Sequence, residues 1–325
     1  MTKLKEHKPS KMEALKAMTP ADRRRAIFDG IMNNAMFIII ALGVGGCIIL
    51  AGTDSSAGRQ VGLAACISAG LQLTTNKLFP GLQILPIPVV LLCVLVACAM
   101  VGFVNGFFMA KFKLHPFIVT LSTQLIVYGL VLLFMQLGTN GGQTLSGMSE
   151  GYRDFIIKPL FTLKTSSGPV TVPRYVLYSA IITAIVWAIW NKTAFGKNMY
   201  AVGSNEEAAN VSGVNVSKTI ILVFVMAGML YGITGFMDAA RIASVNATTG
   251  LNYEADAIAA CVIGGISFVG GIGKVSGAII GVLLLQIIFA GLNFLSVDAN
   301  YLYIVKGLII LIACSIDMRK YLVRK

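Results

Sequence analysis

Hydrophobic residues in this chain come in long unbroken blocks, not in the short alternations of soluble strands or the narrow stripes of soluble helices. Segments free of Asp, Glu, Lys and Arg run over 30–53, 60–76, 78–110, 116–149, 175–191, 219–237, 257–273 and 275–297, and 301–316 is interrupted only by Lys306. A helix needs about 20 mainly apolar residues, at about 1.5 Å rise each, to cross about 30 Å of hydrocarbon. Most of the blocks meet that length. Lipid supplies no hydrogen bonds, so a spanning backbone must satisfy itself, and the alternation expected of outer-membrane strands is absent. The pattern predicts an all-α, polytopic membrane protein with roughly nine membrane-embedded helices. A basic head over 1–30 precedes a transmembrane domain over 31–325.

Composition agrees with that pattern. Of 325 residues, 56% are hydrophobic and only 12% are charged. A soluble domain carries about 25% charge, so this chain lacks the residues to cover a water-facing shell. An ordinary soluble enzyme, a disordered chain and a disulfide-stapled secreted domain are excluded. The formal net charge of +12 marks membrane orientation, not nucleic-acid binding, because Lys and Arg gather between spans. With the basic tail placed in the cytoplasm, counting back puts 191–218 inside, 138–173 outside, and Lys111 and Lys113 inside. Most of the 26 Lys and Arg then lie inside. The count fails at its beginning, where it would leave the strongly basic head outside. Either one segment is re-entrant or one crossing is missing. No cleavable signal peptide is apparent in the head, which lacks an apolar core. Cys47, Cys66, Cys93, Cys98, Cys261 and Cys314 all fall in or beside apolar blocks, and neither His7 nor His115 lies near one. These cysteines read as small apolar filler, and no metal site is expected.

Two stretches resemble each other. VGLAACISAG (61–70) is followed by an apolar helix ending VGFVNGFF (101–108), and AIAACVIGGISFVG (257–270) by one ending FAGLNFL (289–295). Each unit pairs a small-residue segment with a helix carrying one Asn near its end. By the count above they cross in opposite senses, as inverted repeats do.

The most informative polar stretch is NKTAFGKNMYAVGSNEEAANVSGVNVSK (191–218). Asn205 is a good N-cap, Glu206 and Glu207 suit the first turn of a helix, Ala208 and Ala209 favour helix, and Gly213 is a stop. The result is a helix of about two turns, too short to persist alone in water. It needs something to dock against, and a cytosolic partner subunit would serve.

Three passages carry a resemblance: IIIALGVGGCIILAGTDSSAGRQVGLAA (38–65), FGKNMYAVGSNEEAANVSGVNV (195–216) and LNYEADAIAACVIGGISFVGGIGKVSGAIIG (251–281). The chain resembles the permease subunits of bacterial monosaccharide ABC importers, the ribose, arabinose, xylose and galactose group, and within it the galactose/methyl-galactoside branch. The resemblance implies an inverted-repeat permease fold in the inner membrane. It makes Asn205, Glu206, Glu207, Ala208, Ala209 and Gly213 the coupling helix, seated in a cleft of an ATP-binding partner subunit. It implies pairing with a second copy of the chain around a central path. A periplasmic or lipid-anchored sugar-binding protein would dock on external loops, including 138–171 and 241–255. Two departures stand out. Members of the group usually have one more apolar span before the IIIALG passage, and Ser55 stands where they commonly have Leu.

ATP and Mg would be held by the partner, because this chain has no phosphate-binding loop: GGIGKVSG (270–277) lacks the spacing, and Val275 stands where a hydroxyl is needed. No cofactor is expected in the chain itself. Lys306, in mid-span, is expected to reach outward or to pair with Asp298. Asp238 and Arg241 are spaced for a local ion pair. Asp54 and Arg59 flank a Gly-rich break and either line or gate a path or pair with each other. Asn105, Gln124, Gln286 and Asn293 offer neutral donors and acceptors to a neutral sugar, or else bond helix to helix. Three rivals remain at this stage. One is a branched-chain amino-acid ABC permease of the same architecture, and another an ATP-independent secondary carrier. The third, a membrane enzyme, would need a nucleophile–base or metal set that is not visible.

Overall fold

The long apolar blocks become helices whose ends are marked by proline and by left-handed residues. The computed structural model describes residues 28, 30 and 32–322, apart from 80, 139, 166–167 and 295–296. The predicted head over 1–30 therefore lies almost wholly outside the described residues. The helices are α1 (Phe37–Ile49), α2 (Ala57–Gln72), α3 (Ile87–Phe112), α4 (Pro116–Met135), α5 (Glu150–Ile157), α6 (Arg174–Lys192), α7 (Ala194–Ser204), α8 (Glu206–Val211), α9 (Val216–Ile242), α10 (Tyr253–Ile263), α11 (Val275–Phe294) and α12 (Ala299–Leu322). Proline in the first turn opens α3 and α4, where its missing N–H costs nothing. Lys113, in the left-handed region, ends α3 and turns the chain into α4.

Among the described residues, six helices are long and apolar enough to cross a membrane: α3, α4, α6, α9, α11 and α12. Of the roughly nine membrane-embedded helices expected, these six have the full crossing length. The blocks over 30–53, 60–76 and 257–273 yield only α1, α2 and α10, of 13, 16 and 11 residues. At about 1.5 Å per residue these reach about 16–24 Å, short of a full crossing. The apolar count hid two unwound segments, 50–56 and 264–274, where side chains compete with the helix for backbone groups. Asp54 Oδ1 accepts the Ser56 N–H at 2.9 Å, and Ser267 Oγ accepts the Val269 N–H at 3.3 Å.

The all-α expectation also needs amendment. The polar stretch after α4 holds β1 (Leu145–Ser146), which pairs antiparallel with β4 (Ser244–Val245), and a hairpin of β2 (Pro159–Thr165) with β3 (Gly168–Pro173). This hairpin and α7–α8 lie at opposite ends of α6.

The core is organised around α9. Two-thirds of its apolar window is buried, against 22% for α3 and 6% for α12. The cause is backbone contact. On α3, Gly102 and Gly106 face α9, and on α9, Gly228 faces α3. A methyl added at Gly102 would collide with the Phe224 carbonyl, and one at Gly228 with the Cys98 carbonyl. Small residues four apart let two membrane helices meet at their backbones, where van der Waals packing replaces the hydrophobic drive that lipid does not supply.

At the other extreme, the little-buried α12 is tied to α10 by an ion pair. Lys306 Nζ donates to Asp256 Oδ2 of α10 at 2.7 Å and lies 4.6 Å over the Phe289 ring. The expected partner, Asp298, instead accepts the Asn300 N–H at 2.8 Å. The exposed end of the helix cannot neutralise a lysine two turns deeper, whereas α10 runs beside it. The predicted Asp238–Arg241 pair is present at 2.8 Å, and Tyr253 Oη donates to Asp238 Oδ2 at 3.2 Å.

Two outcomes follow. Gly102→Leu or Gly228→Leu should cost at least the 1–3 kcal/mol typical of overpacking. It should lower the melting temperature of detergent-purified protein, while Gly129→Leu, with open space at its Cβ, should leave it unchanged. Asp256→Ala should cost about 3 kcal/mol by stranding Lys306, and the double change with Lys306→Met should recover part of that loss in the same melting assay.

Candidate functional site

Two polar regions stand out: an exposed knob at one end of the bundle, and a buried cluster at the break between α1 and α2.

The knob is α7 and α8. Asn205 both ends α7 and caps α8, its Oδ1 accepting the Ala208 N–H at 2.8 Å. At the far end the Gly213 N–H bonds to the Asn210 carbonyl, and Gly213 takes φ +85°, a left-handed value that glycine adopts without penalty. Asn215 then caps α9 by accepting the Lys218 N–H at 2.9 Å. Of the six predicted coupling residues, Asn205, Glu206, Glu207, Ala208 and Gly213 are exposed, while Ala209 is buried against Val202 and Val216. The short helix thus rests on its own protein through one methyl and presents the rest outward. Val211, not anticipated from the sequence, is 89% exposed at its tip. A cavity of about 530 Å³ lies beside it, lined by Glu206, Glu207, Asn210 and Lys113 among others.

Sequence reasoning also missed α7, which fixes the knob to the bundle. A methyl at Gly203 would strike the Ile49 carbonyl, so α7 sits directly on the end of α1. The same carbonyl accepts the Gly271 N–H at 2.8 Å, and Tyr200 Oη donates to the Gly273 carbonyl at 3.0 Å. Burial raises the Tyr200 phenol above its ordinary pKa, so it stays a donor at neutral pH.

The buried cluster gathers two of the predicted path residues. Ser56 Oγ donates to Asp54 Oδ1 at 2.6 Å and accepts from Gln60 Nε2 at 2.9 Å and Asn105 Nδ2 at 3.0 Å. Asp54, Ser56, Gln60 and Asn105 are all fully buried. Ser56 and Gln60 were not singled out from the sequence; their four-residue spacing, from the N-cap into the first turn of α2, was the available signal. Arg59 does not pair with Asp54. It donates to the Ala247 carbonyl at 3.0 Å and stacks 4.3 Å over the Tyr128 ring, because its helical position turns it toward 246–250 and α4.

The other path candidates are dispersed. Gln124 is half-buried on α4. Gln286 lies on α11 in a mostly apolar groove of about 510 Å³ against α6 and the approach to α1. Asn293 falls in the last turn of α11, and its side chain lies outside the described residues. No cluster of three or more His, Cys, Asp or Glu among the described residues could hold a metal.

Removing the cap should loosen the knob alone. Asn205→Ala is expected to cost about 1 kcal/mol, read as about fivefold faster hydrogen exchange at the Ala208 amide, with exchange in α9 unchanged.

Comparison with known proteins shows the family of the chain. Residues 26–314 match the family described as the permease component of the branched-chain amino acid transport system. The chain is 43% identical over 298 residues to the galactose/methyl galactoside import permease protein MglC of Haemophilus influenzae, covering 91% of this chain and 87% of that one. It is 42% identical over 298 residues to MglC of Escherichia coli K12, with the same coverage. It is 32% identical over 294 residues to the ribose import permease protein RbsC of Escherichia coli K12, covering 90% of this chain and 86% of that one. No solved structure matches. With the family match spanning most of its length and six apolar helices to seat it, the chain belongs to this family of transport permease components, as a non-catalytic, multi-pass subunit of the inner membrane.

Proposed function

We propose that the chain forms the membrane path of an ATP-driven importer for a monosaccharide, galactose or a methyl galactoside, and that α8 is its coupling helix. The observation that carries this reading is the knob itself: a capped two-turn helix, mostly exposed, with Val211 bare at its tip and two carboxylates in its first turn. A helix this short is marginal in water, and a cleft in a partner subunit would bury what α7 and α9 leave open. That partner binds and hydrolyses ATP with Mg. The sugar identity rests on the MglC relatives; a ribose permease is also similar, at lower identity. A branched-chain amino-acid substrate is not favoured, since the relatives named above are sugar permeases.

In this reading two copies pair around the path, and a sugar-binding protein docks on the end that carries the β2–β3 hairpin and 241–255. The short helices α1, α2 and α10 join the six long spans as membrane-embedded elements. The pairs α2–α3 and α10–α11 are inverted repeats; each sets a short small-residue helix beside a long apolar one, which supports that assignment. Gln124 and Gln286 are the path residues with surface or groove to offer a sugar. Asn105 and Asp54 are buried in the hydrogen-bonded cluster at the break, and Arg59 is turned onto the Ala247 carbonyl.

The partner drives transport only by binding the inward-open and outward-open states with different affinity. Disrupting the knob should therefore abolish uptake without removing the protein from the membrane. Glu206→Lys or Gly213→Val should cut labelled galactose uptake about tenfold or more, the effect of losing ~1.4 kcal/mol of docking energy, with membrane levels at wild type. Unchanged uptake, or full-speed transport by the purified chain in vesicles without an ATPase, would refute the assignment.

A further inference from the structure

The cluster at the α1–α2 break has a hydrogen-bond balance that does not close. Ser56 Oγ has one proton, and it goes to Asp54 Oδ1. The hydroxyl can then only accept, and it accepts from the amide nitrogens of Gln60 and Asn105. That fixes both amides, because turning either one over would point an oxygen at an oxygen whose proton is already committed. The consequence is that Gln60 Oε1 and Asn105 Oδ1 are turned off Ser56, and Asp54 Oδ2 takes no part in that bonding. None of the three has a partner at hydrogen-bond geometry among the described residues, and neither does Tyr231 Oη, which faces Asp54 and Cys47. All four side chains are fully buried.

Buried polar atoms are nearly always satisfied, and a buried carboxylate needs a cation or a proton. Arg59 is turned onto the Ala247 carbonyl and the Tyr128 ring. The Gln60 oxygen also lies against Gly228 of α9, where an added methyl would sit 3.2 Å from it. The break follows the C-terminal end of α1, where the helix dipole is negative, and unwound segments and half-helix C-termini are where membrane proteins hold small cations.

We propose that this break holds a monovalent cation of sodium type on Asp54 Oδ2, Gln60 Oε1, Asn105 Oδ1 and Tyr231 Oη. One carboxylate with three neutral oxygens balances a single positive charge. Mg²⁺ is a poor fit, since it demands near-octahedral geometry and keeps its waters. The ion is enclosed between α1, α2, α3 and α9, so it serves as a staple for the break and is not carried with the sugar. The inference does not depend on which solute is transported.

The experiment is equilibrium binding of radiolabelled Na⁺ to the detergent-purified chain, with choline chloride holding ionic strength constant. Saturable binding, stoichiometric with the chain and displaced by NaCl but not by choline, is expected. Asp54→Asn should weaken it at least tenfold, and the wild type should melt higher in NaCl than in choline chloride while the variant does not. Absence of saturable binding by the wild type overturns the proposal and leaves water or a proton as the occupant. Binding that Asp54→Asn leaves unchanged overturns it equally. Should that variant fail to accumulate, Gln60→Met serves in its place, and the wild-type measurement decides without either.

Discussion

The fold depends on how close two backbones can come. Lipid tails are as apolar as the side chains they touch, so helices in a membrane gain little by merely hiding leucines. What α9 offers instead is bare backbone, with glycine facing the Cys98 and Val61 carbonyls at Gly228 and Gly235. α3 answers with Gly102 and Gly106. Contact at that range brings many weak attractions into register, and it makes α9 the post against which α1, α2 and α3 are set. The more lipid-facing helices, α4, α6 and α12, keep large apolar side chains exposed.

This close packing makes the knob and the buried cluster parts of one block. α7 sits on the Ile49 carbonyl, which also takes the Gly271 N–H. Asp54 and Ser56 follow a few residues beyond Ile49 in the same chain segment, and Thr120 of α4 closes over them by accepting the Ser55 N–H at 3.1 Å. A force applied at α8 therefore meets α1, the 264–274 loop and the α1–α2 break without a flexible joint between. Protein interiors of this density move as bodies and do not bend continuously.

Much of this was legible in the chain. Block length announced the long spans, because crossing hydrocarbon sets a length that composition must meet. Asn205 and Gly213 marked the knob, because caps and left-handed stops act through local chemistry. What escaped was what depends on distant partners or on mixed composition. Asp256 lies 50 residues from Lys306, whereas Asp298 was near in sequence and wrong. Gln60 and Tyr231 looked like ordinary residues of apolar helices until the fold brought them to Asp54. The strands over 159–173 were hidden in a stretch read only as polar, and α7, 11 residues long and interrupted by Lys197, was too short to register as a block. The unwound segments 50–56 and 264–274 were concealed by their apolar neighbours, since glycine counts as neither charge nor break on a hydropathy scale.

The ion pair on α12 also bears on biogenesis. A lysine in mid-helix costs about 2.5–3.5 kcal/mol to place in a bilayer on insertion scales. α10, carrying Asp256, leaves the ribosome before α12, so the counter-charge is waiting when Lys306 reaches the translocon. The last helix, hardly buried in this chain, is then admitted to lipid as half of a pair, and the order of synthesis does part of the work of assembly.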